Sequence, residues 1–570
     1  MKLSHGSMDI ETIRTDILVI GGGIAGCFAA IRAGESGMKV TLLDKGHLGR
    51  SGTSYQMSGV LTCFDPERDN HDAWYRECVE AGDWINDQDC LEGMIPETAD
   101  RVRELEAWGV EFQKEHGQFI RKPGVGHVHA RNILMTKGGF QLQSVLRGEV
   151  HRRKVRVLER IMATDLLVSE KDGRRVIGAL GFHIRTGRFF IVEAGATILA
   201  TGAARAIWTG IRLPMLSGDG NAMAFRAGCD MRNREFAVYY EAPADFDAIG
   251  PGSNILFGEG AVLLNGRGER FMEKWDHLRM ERATRVSRFM AVAAEIEEGR
   301  GPVYLDATGL DEGAFNRIEK AIPIPMMCFK AAGLDLRKDR IRWSYTLADH
   351  SPGGVRANRH GASSVPGLFV AGDISDHGTS GACNIISHGM VSAIEGNRAG
   401  KAAPPVAGEA NQEQADQNIV KARVADLLEP LNRENGLSHH EVRRHCIAIW
   451  SLLGPRKNAA RLKAAIAAAR EIRDTEIPRL RARDFHELSH CIGLGNALHL
   501  IELYARCALE RKESRGAHFR EEYPHRDDRH WLQWIVVGKK GERMDEMDVR
   551  TEAIPFERYP LSPRSDGEQA

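Results

Sequence analysis

A glycine-rich turn near the start of the chain limits what it can fold into. Asp16-Ile17-Leu18-Val19-Ile20 is a short apolar run leading into Gly21-Gly22-Gly23-Ile24-Ala25-Gly26. A helical stretch follows over residues 27–35, and a second run, Lys39-Val40-Thr41-Leu42-Leu43-Asp44, closes on an acid. This order predicts a βαβ unit. Gly21 serves the tight turn, Gly23 a close backbone approach to a pyrophosphate, and Gly26 close helix packing, with the helix N-terminus facing the phosphate. Asp44 lies 18 residues after Gly26, where a carboxylate accepts from a ribose hydroxyl.

Two later segments choose between FAD and a nicotinamide nucleotide. Ala196-Thr197-Ile198-Leu199-Ala200-Thr201-Gly202 and Gly367-Leu368-Phe369-Val370-Ala371-Gly372-Asp373 both read as strands running into small-residue turns. Further returns to the same sheet are what a long FAD molecule needs, and Asp373 is expected to accept from its ribityl hydroxyls.

Composition excludes several other classes. With 77 Lys+Arg against 78 Asp+Glu the chain is nearly neutral, which argues against a polyanion binder. The apolar run over residues 17–33 is broken by Gly21, Gly22, Gly23 and Gly26, so no membrane span is expected. The ten cysteines are scattered with no CxxC pair, which fits buried thiols in a reducing, cytoplasmic setting and leaves no spacing for an iron–sulfur cluster. Residues 1–8 read as a cloning remnant, with Met8 a candidate native start.

The expected fold class is α/β: a Rossmann-like FAD-binding domain with an inserted α+β capping domain and a C-terminal helical domain. The expected boundaries are 1–14 tag, 15–236 and 341–405 FAD-binding domain, 237–340 capping domain, 415–535 helical domain and 536–570 tail. Residues 401–414, with Pro404 and Pro405, read as a linker. Three-to-four spacing of apolar positions predicts helices over 419–431, 439–453, 459–473 and 492–511.

Six stretches in order carry a resemblance over nearly the whole chain. They are Arg50-Ser51-Gly52-Thr53; Gly126-His127-Val128-His129-Ala130-Arg131; Ser217-Gly218-Asp219-Gly220; Gly258-Glu259-Gly260-Ala261 through Gly268-Glu269-Arg270-Phe271-Met272; Gly372-Asp373; and Lys512-Glu513-Ser514-Arg515-Gly516-Ala517-His518. With them the chain resembles the flavoprotein subunits of the succinate dehydrogenase, fumarate reductase, L-aspartate oxidase and adenylylsulfate reductase superfamily. The resemblance implies FAD, a domain that closes over the isoalloxazine, and redox chemistry at flavin N5. The expected FAD contacts are Gly21, Gly23, Ile24, Ala25, Gly26, Asp44, Lys45, Arg50, Ser51, Gly52, Thr53, Ser58, Gly59, Ala163, Ala200, Thr201, Gly202, Asp219, Gly372, Asp373, Asn384 and Ile385.

The departures from the family pattern predict a different substrate. Where succinate and fumarate enzymes carry a flavin-bonding histidine after Arg-Ser, this chain has Gly52, so FAD is expected to be noncovalent. The family's His-Pro-Thr falls on Tyr240-Glu241-Ala242, its proton-shuttling arginine on Phe257, and the arginine before Asn-Ser-Leu has no counterpart in residues 380–385. Desolvating a dicarboxylate without paired cations costs several kcal/mol per ion, so a succinate, fumarate or L-aspartate enzyme is not expected. Arg-Ser-Gly, Gly372-Asp373, Glu395-Gly396-Asn397-Arg398-Ala399-Gly400 and Ala482-Arg483-Asp484-Phe485-His486-Glu487-Leu488 look closer to the adenylylsulfate reductase flavoprotein. That likeness implies a ferredoxin-like iron–sulfur partner. The alternatives are a stand-alone flavin oxidase or dehydrogenase of an amine or organic acid, and a non-catalytic flavin-bearing assembly subunit.

His350, beside the family's substrate-loop histidine position, is the expected general acid or base. Tyr240 and Glu259 are the other proton-transfer candidates, and Phe257, His127, Arg131 and Arg356 the expected substrate-side residues. His377 and His388 are expected to hydrogen-bond flavin or backbone. His486-Glu487-Leu488-Ser489-His490 fits HExxH but reads as structural, since the third-ligand position of a metzincin is Asn496. His127 and His129 lack a third ligand, so no metal is expected. Other partners expected are a small-molecule substrate and further copies of the chain, with no nucleic acid.

Overall fold

The computed structural model describes residues 10–57, 59–123, 129–169, 174–203, 217–246, 253–347, 353–378, 381, 385–410, 413–541 and 543–563. Its central sheet is built from β1 (Ile10–Ile20), β2 (Val40–Asp44), β3 (Arg156–Glu159), β4 (Ile161–Val168), β5 (Val176–His183), β6 (Phe189–Leu199) and β7 (Leu368–Val370). β3, β2, β1 and β6 run parallel in that order. The end of β6, Thr197–Leu199, pairs in parallel with β7, while its first half pairs antiparallel with β5, which continues into β4. β6 is buried along its whole length, as expected for a strand covered on both faces. Five parallel strands thus bring their carboxyl ends to one edge, where open α/β sheets bind ligands.

Helix α1 (Ile24–Glu35) packs between this sheet and α2 (His388–Glu409). The crossing is made by small residues. A Cβ on Gly396 would stand 2.2 Å from the Ala25 carbonyl oxygen, and one on Gly400 would stand 2.5 Å from that of Ala29. The expected linker over 401–414 is corrected here: α2 continues to Glu409 with Pro404 and Pro405 inside it. Each proline forfeits a helix hydrogen bond, but Ala403, Pro404 and Ala407 are buried, and that contact carries the helix past the breaker signal.

Residues 239–347 fold against a sheet of their own, with strands Tyr239–Pro243, Ile341–Leu347, Val303–Asp306 and Val262–Leu264 in that order, all antiparallel. Leu263, Phe271, Leu305, Phe315 and Trp343 form its separate core. Tyr239 pairs with Leu347, so the chain enters and leaves this unit side by side.

The last helices are α3 (Gln417–Asn432), α4 (His439–Ile449), α5 (Ala459–Thr475) and α6 (Phe485–Glu510). They match the periodicity, except that α6 starts seven residues before the expected 492. The Asp484 carboxylate accepts from the Glu487 amide at 2.8 Å and caps that earlier start. The stretch expected as a tail contains a hairpin, Gln533–Lys539 with Met547–Ala553, joined through Met231–Arg232 to Gly354–Val355. Among the described residues no helix is long and apolar enough to cross a membrane.

Candidate functional site

The turn between β1 and α1 is as tight as its glycines suggest. Gly21 has φ +110°, and a Cβ there would lie 2.3 Å from the Ala200 carbonyl oxygen; a Cβ on Gly26 would lie 1.8 Å from the Gly21 oxygen. Gly23 differs. Its backbone is ordinary, and a Cβ would meet only Ser54 Oγ at 3.2 Å, so its face is open to a ligand. The N-cap residue, Gly23, has no side chain to cap α1; of the first-turn amides, Ile24 donates to Ser54 Oγ at 3.2 Å. Open amides at a helix N-terminus suit a pyrophosphate.

Asp44 ends β2 inside this turn. Its carboxylate accepts from the Gly22 amide at 2.8 Å and the Gly46 amide at 2.6 Å, and burial pushes it above the usual carboxylate range. Ser51 Oγ stands 3.3 Å from it. Gly52 has φ +75° and nothing within 4 Å of where a Cβ would be, and Thr53 follows it in a helical turn that ends at Gln56. Arg50 is exposed and Lys45 pairs with Asp219 at 2.7 Å. Burial would raise the Asp219 carboxyl, but Lys45, Asn496 and Ser217 hold it low. Gly59 has φ +92° against Gly138, while Ala163 and Ile385 are buried.

At the carboxyl end of β6, Ala200 is buried and Gly202 has φ +76°. The buried hydroxyl of Thr201 has no hydrogen-bond partner among the described residues. At the end of β7, Gly372 (φ +79°) leads into Asp373. His377 Nε2 lies 2.9 Å and His388 Nδ1 3.1 Å from Asp373 Oδ1. His377 Nδ1 lies 2.9 Å from Glu395, which also accepts from the Gly372 amide at 2.8 Å and Ser375 Oγ at 2.9 Å. Burial opposes a charge on His377, but Glu395 and Asp373 raise it to about 10, so it is an imidazolium between two carboxylates. The two histidines in turn hold the Asp373 carboxyl far below its ordinary value against burial, and burial lowers His388. Glu395 at the centre of this network was missed as a functional residue; its spacing from Asp373 becomes visible only once α2 folds back over β7.

The open face at Gly23, the helix N-terminus with no N-cap side chain, the orphaned Thr201 hydroxyl and the preset Asp44 and Asp373 carboxylates fit one extended dinucleotide along the strand ends.

In the 239–347 unit, Phe257 is 3% exposed beneath the guanidinium of Arg288, whose Cζ lies 5.3 Å from the ring centroid. Arg288 donates to Glu241 at 2.6 Å, Asn254 at 2.8 Å and the Ala283 carbonyl at 2.7 Å; Arg288 and Glu241 are both fully buried. From sequence Glu241 entered only as the middle of the stretch aligned with the family's His-Pro-Thr, and Arg288 was not singled out, since each is an isolated charge with no local partner.

The other candidates lie apart. Glu259 pairs with the exposed Arg317 at 2.7 Å. Arg131 is buried against Glu77 and over the Trp74 ring. Arg356 donates to Glu552 at 2.7 Å beside Trp534. Tyr240 lies on the strand Tyr239–Pro243, paired with Thr346. Ser58, His127, His350 and Asn384 lie outside the described residues.

Comparison with known proteins gives this geometry a family. An FAD binding domain model matches residues 16–388, more than half of the chain, and a fumarate reductase flavoprotein C-terminal model matches 447–566. One subunit of the fumarate reductase (CoM/CoB) of Methanothermobacter marburgensis is 30% identical over 557 residues, covering 94% of this chain and 99% of that one. Among solved structures, E. coli quinol fumarate reductase superposes with TM-score 0.87 at 23% identity, covering 98% and 99% of the two chains. Adenylylsulfate reductase from Archaeoglobus fulgidus superposes with TM-score 0.81 at 20% identity, covering 96% and 97%. The dinucleotide cradle is therefore an FAD site, and the chain belongs to the FAD-dependent oxidoreductases of the succinate dehydrogenase and fumarate reductase flavoprotein family.

Proposed function

We propose that this protein is the catalytic flavoprotein subunit of a two-component oxidoreductase, passing two electrons between a substrate held under the 239–347 unit and a ferredoxin-like iron–sulfur partner. We further propose that its substrate is not a C4 dicarboxylate. FAD, when bound, supplies a two-electron carrier reacting at flavin N5. Around it the chain's own groups bind and orient: the α1 amides and Gly23 receive the pyrophosphate, Asp44 a ribose, and Asp373, preset by His377 and His388, the ribityl chain. Gly52 offers no nucleophile, so the cofactor is held noncovalently. His350 is the proposed proton donor or acceptor, with Tyr240 and Glu259, the latter ion-paired to Arg317, as the other proton-transfer candidates.

The substrate reading is carried by Phe257 under an arginine that a buried glutamate already neutralises. Phe257 cannot hold or move a proton. Introducing a second carboxylate beside Glu241 would desolvate like charges together, which costs several kcal/mol. The ferredoxin-like partner rests on the motifs at 395–400 and 482–488 and on the lack of cluster-binding cysteine spacing.

Fumarate reduction is the second reading, favoured by the 30% identity, over nearly the whole chain, to the CoM/CoB fumarate reductase polypeptide. Anaerobic viologen assays with fumarate, succinate, adenylylsulfate, and sulfite with AMP separate the two. The first reading expects fumarate turnover well below the ~10 per second typical of enzymes, with Phe257→Arg raising it. Rapid fumarate turnover by the wild type overturns it.

A further inference from the structure

We propose that Glu395 is a positioning residue for the cofactor: it pins His377 against Asp373, and through that ring it holds the Asp373 carboxylate where the ribityl chain is received. This role rests on the ribityl placement proposed for Asp373 and goes one residue deeper.

Asp373 follows β7 through Gly372, whose φ of +79° turns the chain, and the turn closes with the Ser375 amide donating to the Gly372 carbonyl at 2.8 Å. Glu395 reaches into this turn from α2 and binds it at three points. One carboxylate oxygen accepts from the Gly372 amide at 2.8 Å and from Ser375 Oγ at 2.9 Å, and the other faces His377 Nδ1 at 2.9 Å. The far side of the ring, Nε2, faces Asp373 Oδ1 at 2.9 Å. Glu395 is itself held by its neighbour in sequence, since Gly396 lets α2 meet the backbone of α1 at Ala25. The helix that fixes the Asp373 turn is therefore locked to the helix whose N-terminus faces the pyrophosphate.

The geometry dictates the charge of the ring. A neutral imidazole has one N–H, so between two carboxylates it would turn a lone pair on one of them. Only the imidazolium donates to both, and Glu395 and Asp373 raise His377 to about 10 against the opposing effect of burial. His388 Nδ1 brings a second donor to the same Asp373 oxygen at 3.1 Å. Oδ1 is thereby taken, and among the described residues no hydrogen bond reaches Oδ2. The Asp373 side chain is 13% exposed, which leaves Oδ2 for a ligand hydroxyl.

The other charges around His377 keep one form as pH rises from neutral. In the same turn, burial pushes Asp376 up to about 6, and it is paired with Arg232, which also donates to Asp87 at 3.0 Å. On α2, burial, with Arg285 and His377 nearby, keeps His388 neutral.

The test measures FAD release from the flavin-loaded full chain at about pH 7 and about pH 9, by the fluorescence of freed flavin, for wild type, Glu395→Gln, His377→Gln, the double variant and Asp373→Asn. Glutamine keeps an acceptor for the Gly372 amide and Ser375 but lacks the charge that holds the ring's proton. Glu395→Gln is expected to bind FAD about tenfold more weakly at the higher pH than at the lower, while wild type changes by less than about twofold. In the His377→Gln background the same substitution adds no pH dependence, because Glu395 acts through that ring. A Glu395→Gln ratio matching wild type, or a pH dependence that survives without His377, overturns the proposal. Asp373→Asn separates the two layers. Weaker FAD binding there, with Glu395→Gln unshifted, removes the role of Glu395 alone; undiminished FAD binding in Asp373→Asn removes the ribityl placement, and the role of Glu395 with it. If Glu395→Gln does not fold, NMR of ¹⁵N-labelled histidines in wild type decides. The His377 signal, identified by its loss in His377→Gln, supports the proposal if it keeps the imidazolium pattern at the higher pH and overturns it if the ring is neutral.

Discussion

Gly21, Gly23 and Gly26 belong to one motif, but they are glycines for different reasons, and substitution separates those reasons. A methyl at Gly21 or Gly26 runs into backbone oxygen at 2.3 or 1.8 Å, whereas at Gly23 it meets only a serine hydroxyl at 3.2 Å. Gly23→Ala is therefore expected to keep the thermal midpoint of the flavin-free protein while lowering FAD affinity about tenfold or more, a loss of ~1.4 kcal/mol in binding; Gly26→Ala should lose fold and flavin together. Flavin titration alongside calorimetry of the apoprotein checks both. His377 makes a second prediction at this scale. Its pKa is raised to about 10 from an unfolded value near 6.5, so its contribution to stability is fully present below pH ~6.5 and is lost as pH rises through 10. Midpoints measured from pH 6 to 10 should fall more steeply for wild type than for His377→Gln, and parallel curves would contradict the imidazolium assignment.

Helices α1 and α2 touch through Gly396 and Gly400, where backbone meets backbone and nothing can give way. Gly400→Leu is expected to destabilise by more than ~3 kcal/mol, or to prevent folding, since overpacking here displaces the helix that carries Glu395. Denaturant unfolding measures it. The helix-breaking signal of Pro404 and Pro405 misleads for the same reason: local propensity is a small term beside the burial of a helix face. At the start of α6 the cap at Asp484 emerged only in the structure, and the periodic apolar positions become clear only later in the helix, so the expected start fell two turns late.

The C-terminal hairpin bears on the whole molecule. Its strand Gln533–Lys539 completes a sheet with Met231–Arg232 and Gly354–Val355, which lie on either side of the 239–347 unit in sequence. Ending the chain at residue 532 should expose that sheet edge, with Val536 and Val537 gone from the core, and lower both soluble yield and flavin content. Size-exclusion chromatography with absorbance at the flavin band tests this, and a soluble, fully flavinated product would refute it. Acid precipitation of the intact protein should leave the yellow colour in the supernatant, consistent with Gly52 in place of a nucleophile.

The α/β class, the FAD cradle and most helices could be read from the chain alone because each rests on local periodicity or on glycines whose spacing answers one turn. Asp44 and Asp373 were legible for that reason: one ends a recognisable strand and the other follows one through a glycine turn. The Arg288–Glu241 pair over Phe257 and Glu395 behind His377 were not. Each joins residues from distant segments, and a partner's distance in space is set by packing, which no local pattern encodes. Sequence determined that this chain folds around FAD; the tertiary structure decided which charges are neutralised and by which partners, because burial and pairing exist only after the elements have come together.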